Sequence, residues 1–556
     1  MHPPCSGEAS SQSCFGSSFL ASYCDKIHDT PNSSHELEIA TCSSLHPYTK
    51  FSNHEALPCL EESYVNFKKA YPSFDNTYQV DRIRGQEYEH LNPSNICFDY
   101  SGCGLFSHAQ EHTTSAASSS SCPPPPFFAV SYKPTTLNSQ ILYGSQESEL
   151  ESKIRKRIMA FMNISEVDYT LVFIANEVSA FKLVADSFQF QPDGELLTVY
   201  DHKSEAVDVM IETCKDQGVH VLSAKFCWPN LRIMATKLKK RIMSKRGKRK
   251  RKRGLFVFPL HSNVTGTPYS YIWMSLAQEN GWHVLLDARA LGPKEMDTLG
   301  LTMFKPDFMV CSFYKVFGEN PSGFGCLFVK KSCISALKES SNGTSMGIVS
   351  LSPAFRQEDG SVSPHGSEQV LSSEIVELSL STSLESGQPR ERLSTVNGGL
   401  EIIECRGLDH ADSVGLVVIS CRAKYLINWL VNALMCLQHP HPPTGISLIR
   451  IYGPKVNSHR GPVVAFNVFD WKGEKVDPAI VQKLADRNNI SLSGALLQNM
   501  WFSDRSDEER QRALESRVHK VKVLGQTNKT QNRDFGITVV TAALEAKRFK
   551  APFALH

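Results

Sequence analysis

The chain has no Cys-x-x-Cys pair, and residues 437–556 hold no cysteine at all. Its sixteen cysteines are scattered upstream of that point, so they form neither a disulfide framework nor a metal-ligand set and read as reduced thiols of an intracellular protein. Strong charge of one sign is also missing. A net charge of +2 and a pI near 7.8 give no chain-wide bias toward nucleic acid or an acidic membrane. There is no long apolar run: the stretch 426–437, LINWLVNALMCL, contains two Asn and falls short of the roughly 20 residues that span a bilayer, so it reads as a packed helix. The first 25 residues contain neither Lys nor Arg, unlike a secretory or transit signal. A cytoplasmic address follows, with the basic stretch 245–253 offering nuclear import as the alternative.

What is present is an ordinary globular composition, with 41% hydrophobic residues over a length that implies roughly two to four domains. Composition divides the chain. Residues 1–55, rich in Ser, Cys, His and Pro, read as a disordered leader; 56–113 as an N-terminal segment packing on the core; 114–130 as a Ser/Pro-rich tether. Residues 131–351 form the large domain, 352–394 a flexible low-complexity insertion, 395–525 a smaller C-terminal domain and 526–556 a tail. Within the large domain, short apolar runs alternate with helical periodicity: LVFIA (171–175), LFVFPL (255–260), HVLLDA (283–288), DFMVCSF (307–313) and GCLFVKK (325–331). That pattern predicts an α/β fold with a mostly parallel sheet covered on both faces, and ligands of such sheets sit at the carboxyl ends of strands. LIRIYGPKV (448–456), PVVAFNVFD (462–470) and a helix over 478–487 predict a smaller α+β domain.

Two strand ends carry chemistry. Lys315 lies in SFYKVFGENPSGFG (312–325), and Asp287 ends HVLLDA. Either alone is an ordinary surface residue or turn cap. Together, in this order and before a Gly-rich turn, an amine and a carboxylate are what pyridoxal phosphate chemistry requires: the amine forms a Schiff base, and the carboxylate keeps the ring nitrogen protonated.

These segments resemble the aminotransferase class V family of pyridoxal-phosphate-dependent enzymes, which includes cysteine desulfurases, and within it the N-terminal domain of the eukaryotic molybdenum cofactor sulfurases. The resemblance covers about residues 60–505 and implies the fold type I architecture, pyridoxal 5'-phosphate as cofactor, a homodimer and a small amino-acid substrate such as cysteine. It implies Lys315 as the Schiff-base lysine and Ser312 as a phosphate ligand. DHKS puts His202 where the family stacks an imidazole on the ring, HSNVTGT puts Asn263 where the ring hydroxyl is met, and Asp287 stands opposite the ring nitrogen. Core or turn roles, and a glycosylation sequon at Asn263, are the plainer readings of these residues. The phosphate is expected at the N-terminus of a helix beginning near Ser179. There the family's Gly-Ala-Thr is replaced by Asn176, Glu177 and Val178, which leaves Ser179 as the substitute hydroxyl. Gly343 and Thr344 resemble the segment that reaches a partner subunit's phosphate.

One part of the family's chemistry is missing. The stretch 490–504, ISLSGALLQNMWFSD, contains no cysteine where relatives carry the sulfur as a persulfide, a step that needs a thiolate. A cysteine from elsewhere in the chain is the remaining source. The sequence therefore implies a transferase or lyase of sulfurase type, with a catalytically weak relative serving as a binding or regulatory protein as the alternative. Residues 237–253 carry twelve Lys or Arg. They read as a solvated loop, a nuclear import signal or a nucleic-acid contact, the last disfavoured by the lack of interleaved aromatics.

Overall fold

The computed structural model describes residues 51–52, 54–87, 96–97, 128–144, 147–243, 254–289, 304–311, 324–338, 347–353, 405–440, 447–456, 460–502 and 537–543. Lys315, Ser312, Gly343, Thr344, most of the leader, tether and insertion, and the basic residues 245–253 lie outside the described residues.

The large domain is a seven-stranded sheet. Its strands are β1 (Tyr169–Ile174), β2 (Glu195–Thr198), β3 (His220–Ser223), β4 (Gly254–Pro259), β5 (Trp282–Asp287), β6 (Phe308–Cys311) and β7 (Gly325–Lys330), in the order β1-β7-β6-β5-β4-β2-β3. The pairs β6–β5, β5–β4, β4–β2 and β2–β3 are parallel, and β7 alone runs antiparallel to both neighbours. This is the expected α/β class with a mostly parallel sheet. Successive side chains of each strand enter opposite cores. Phe256 and Phe258 of β4 pack with Leu171, Phe173, Val284 and Leu286 on one face, while Leu255 and Val257 pack with Val172, Ile174 and Leu285 on the other.

Helices cover both faces. Helix α1 (Glu149–Phe161) buries Leu150, Ile154, Ile158 and Phe161 on the first face, together with Trp273, Met274 and Ala277 of Ile272–Glu279. The second face is closed by α2 (Glu177–Ser187), through Ala180, Phe181, Leu183 and Val184, and by α3 (Glu205–Asp216), through Ala206, Val207 and Met210.

The smaller unit holds a four-stranded antiparallel sheet. Its strands are β8 (Ile449–Tyr452), β9 (Val463–Val468), β10 (Ser493–Leu497) and β11 (Ile537–Ala543), ordered β8-β9-β11-β10. The helix Pro478–Arg487 follows the expected bounds. The stretch 426–437 falls largely within the helix Leu416–Cys436, which buries Leu426, Ile427, Trp429 and Val431 against Phe67, Tyr71 and Phe74 of the N-terminal segment. Among the described residues no single helix is long and apolar enough to cross a membrane.

Four boundaries differ from the sequence reading. The segment 526–556, read as a tail, supplies β11 as an inner strand, because its β-branched run ITVV suits a pleated ladder. Phe128–Tyr132 begins inside the segment read as a tether and pairs with Val349–Pro353. Phe51, placed in the leader, is buried and bridges to Leu437. Residues 237–242 of the basic stretch are not loop: they complete the helix Ala235–Ile242, anchored by buried Leu238 and Ile242.

Candidate functional site

Every described residue of the expected site lies at or beyond the carboxyl end of a sheet strand. The chain leaves β1 through Asn176 into α2, leaves β2 through Tyr200, Asp201 and His202, leaves β4 into residues 261–267, and leaves β5 at Asp287. These strands point the same way, so their exits converge on one edge of the sheet.

His202 is set by its neighbour. Its Nδ1 lies 2.7 Å from Oδ1 of the fully buried Asp201. Asp201 also accepts hydrogen bonds from Ser262 Oγ and Thr265 Oγ1, each at 2.8 Å. Burial alone would raise the Asp201 carboxyl, but the bond to His202 and the two hydroxyl donors outweigh it and hold the group below its ordinary value. An ionised Asp201 keeps a proton on Nδ1 of the imidazole and so orients Nε2 away from it. That Nε2 is buried and meets no hydrogen-bond partner, and neither does the buried Oδ1 of Asn263 in the next loop.

Loop 261–267 is held from two sides. Ser262 and Thr265 bind it to Asp201, and Gly266, at φ +68°, approaches the small domain so closely that a Cβ there would lie 2.5 Å from the carbonyl oxygen of Val463. The stretch expected to carry the family's sulfur residue is docked on the same place. Lys203 N donates to Leu496 O at 2.7 Å, Gln498 N to Asp201 O at 2.9 Å, Gln498 Nε2 to His202 O at 2.9 Å, and Asn499 Nδ2 to Tyr200 O at 3.2 Å. The residues facing His202 here are aliphatic or amide, with no thiol in the run.

Asp287 closes the third side. Its Oδ1 accepts from the backbone N–H of Arg289 at 3.0 Å and from Arg289 Nε at 2.9 Å; its Oδ2 accepts from Arg289 Nη2 at 2.7 Å and from Tyr200 Oη at 2.9 Å. Burial works to raise this carboxyl too, and the guanidinium with its hydrogen bonds overcomes it, leaving the group lowered. The Tyr200 hydroxyl is pushed well above its usual value by burial and then by the Asp287 charge. Arg289 continues through Nη1 to Glu177, the first residue of α2, and lies over the Phe181 ring.

The expected phosphate seat is built differently from the sequence reading. Helix α2 starts at Glu177, two residues before Ser179, because Asn176 is a good N-cap: its Oδ1 accepts the backbone N–H of Ser179 at 2.9 Å. Ser179 also faces Gly347, where a Cβ would come within 2.8 Å of its own Cβ.

The structure thus brings His202, Asn263, Asp287 and Ser179 to one sheet edge. The sequence reading missed Tyr200, Asp201 and Arg289. Their signals were present: Tyr200 and Asp201 immediately precede His202 in YDHKS, and Arg289 stands two residues after Asp287. The orphaned Nε2 and Oδ1 fit a ring-shaped polar ligand such as pyridoxal phosphate, since leaving each unpaired costs about 1–3 kcal/mol. The saturated carboxylate of Asp287 does not, as it stands, fit a further donor.

Residues 129–374 match the family Aminotransferase class-V. The chain is 24% identical over 433 residues to molybdenum cofactor sulfurase of Homo sapiens, covering 74% of this chain and 43% of that protein. With the Solanum lycopersicum molybdenum cofactor sulfurase the identity is 23% over 472 residues, covering 78% and 51%. The chain therefore spans about half the length of the curated relatives it matches. Among solved structures it is similar to the apo cysteine desulfurase of Thermococcus onnurineus NA1, at TM-score 0.48 and 13% identity, covering 84% of this chain and 94% of that one.

Proposed function

We propose that this chain, which carries an aminotransferase class-V domain and is related to the molybdenum cofactor sulfurases, is a pyridoxal-phosphate-dependent transferase or lyase acting on cysteine or a related amino acid. The observation that carries the reading is the pair of buried, unpartnered polar atoms, His202 Nε2 and Asn263 Oδ1, beside the Tyr200–Asp287 contact at the carboxyl edge of the sheet. Bound there, the cofactor would supply an electron sink for charge developing at the substrate's α-carbon. His202, oriented by Asp201, would lie against the ring; Asn263 would hold the ring's polar edge; Lys315 would anchor the group and move the α-proton. The chain's own part is to fix the ring's tilt and to exclude water from it.

A second reading has its own support. The run 490–504 has no thiol, and Glu177 puts a negative charge at the start of the helix where a phosphate is expected. These favour a relative that keeps the cofactor seat but turns over weakly and serves as a binding or regulatory protein.

Addition of pyridoxal phosphate to purified protein tests the first reading. The expected result is a visible absorbance band that borohydride removes and that Lys315→Ala lacks. A protein that stays colourless rejects it. Release of alanine and sulfide from cysteine, with and without an added thiol, then separates the two readings.

A further inference from the structure

Resting on the reading of pyridoxal phosphate as the cofactor, we propose that Arg289 is an internal counterion that takes the place of the cofactor's ring nitrogen on Asp287, so that ring binding at Asp287 and the full Arg289–Tyr200 clamp exclude each other. Acceptor capacity at Asp287 sets the limit. An ionised carboxylate offers about four lone-pair sites. All four are used: two donors reach Oδ1, both from Arg289, and two reach Oδ2, one from Arg289 and one from Tyr200. A protonated ring nitrogen arriving at this carboxylate finds no free lone pair until a donor withdraws.

The clamp also carries its own counterion for Asp287. Asp287 and Arg289 are both buried, with side chains 4% and 8% exposed, and form a bidentate pair. The third guanidinium nitrogen is engaged by Glu177, whose side chain is 40% exposed. The buried negative charge that a ring cation would neutralise is already neutralised from within the chain. His202 Nε2 and Asn263 Oδ1, by contrast, remain open to a ligand. The site is therefore ready on the sides of the ring and closed at its nitrogen.

The probe is a pyridoxal phosphate analogue with a methyl in place of the aldehyde, which binds without any bond to Lys315. Its affinity is measured by equilibrium dialysis against the wild type, Arg289→Ala and Tyr200→Phe. Tyr200→Phe opens one lone pair on Oδ2 while keeping the counter-charge, so it holds the proposal testable even where Arg289→Ala fails to fold. Freeing an acceptor for a charge-assisted bond is expected to tighten binding about tenfold or more in each variant. A matching analogue with C–H in place of the ring nitrogen should gain nothing. Unchanged affinity in the variants, or an equal gain for the nitrogen-free analogue, overturns the proposal while leaving the lysine-dependent band of the wild type to stand for the cofactor reading. Absence of binding by every form overturns the proposal, and overturns the cofactor reading as well where the wild type also lacks the lysine-dependent band.

Discussion

The Nδ1 of His202 and the Oδ1 of Asp201 lie 2.7 Å apart in a setting sealed from solvent, and the same carboxylate ties down the loop that carries Asn263. Asp201 is therefore a positioning residue for His202 Nε2 and Asn263 Oδ1, two buried atoms that meet no hydrogen-bond partner among the described residues. Replacing it with Ala takes the acceptor from His202 Nδ1 and from the Ser262 hydroxyl, while Thr265 Oγ1 keeps its contact with Thr267 Oγ1 at 2.7 Å. We expect a loss of about 3 kcal/mol or more in urea denaturation. Asp201→Asn keeps the shape and one acceptor, and should recover part of that loss.

Acid should act through the same group. The folded Asp201 carboxyl is held below its ordinary value, since the His202 and hydroxyl contacts outweigh burial. Its contribution to stability is thus fully present above the unfolded value of about 4 and is lost as pH falls through the lowered folded value. Measured by thermal denaturation, the stability gap between wild type and Asp201→Asn should be constant near neutrality and shrink on acidification. A gap that widens in acid would contradict this assignment.

Gly266 joins the large-domain loop to the small domain. Its φ of +68° and the 2.5 Å approach to the Val463 carbonyl leave no room for a side chain, and the blocking atom is backbone. Gly266→Ala should cost at least about 2 kcal/mol of stability, read by urea denaturation. Gly473, also at positive φ but with nothing near its missing Cβ, should lose less on the same change.

Cys311 and Cys326 stand opposite each other on antiparallel β6 and β7 and are both buried. Burial, reinforced by the neighbouring thiol, pushes Cys311 well above its usual value. Neither should react with a maleimide in the native protein, whereas Cys59 is exposed and should label before both. Mass spectrometry of peptides after timed labelling reads the order.

Much of the sheet was legible because its strands are continuous apolar runs buried on both faces, and such runs end where the burial ends. The helix Pro478–Arg487 was legible at its full length, and the Asp477 cap and the proline at its first position are what start it there. The start of α2 was not, since Asn176 and Glu177 look like a departure from a phosphate loop until the cap to Ser179 is seen. At the candidate site, His202, Asn263 and Asp287 were singled out through local motifs. Arg289 escaped: it stands two residues from its partner Asp287, but Glu177 and Tyr200, which complete the group around that pair, are distant in sequence, and only the sheet order brings the exits of β1, β2 and β5 together. The strand β11 escaped for a similar reason: a short β-branched run declares no partner, and here its partners precede it by many residues.

That strand has a bearing on how the molecule is made. β11 lies between β9 and β10, so neither of those two has its inner neighbour until residues 537–543 have cleared the ribosome. The large-domain sheet is complete in sequence by residue 330 and needs no such delay. During synthesis the nascent small sheet must wait with two unsealed ladders, and chains halted before residue 537 would expose those edges to neighbouring polypeptides.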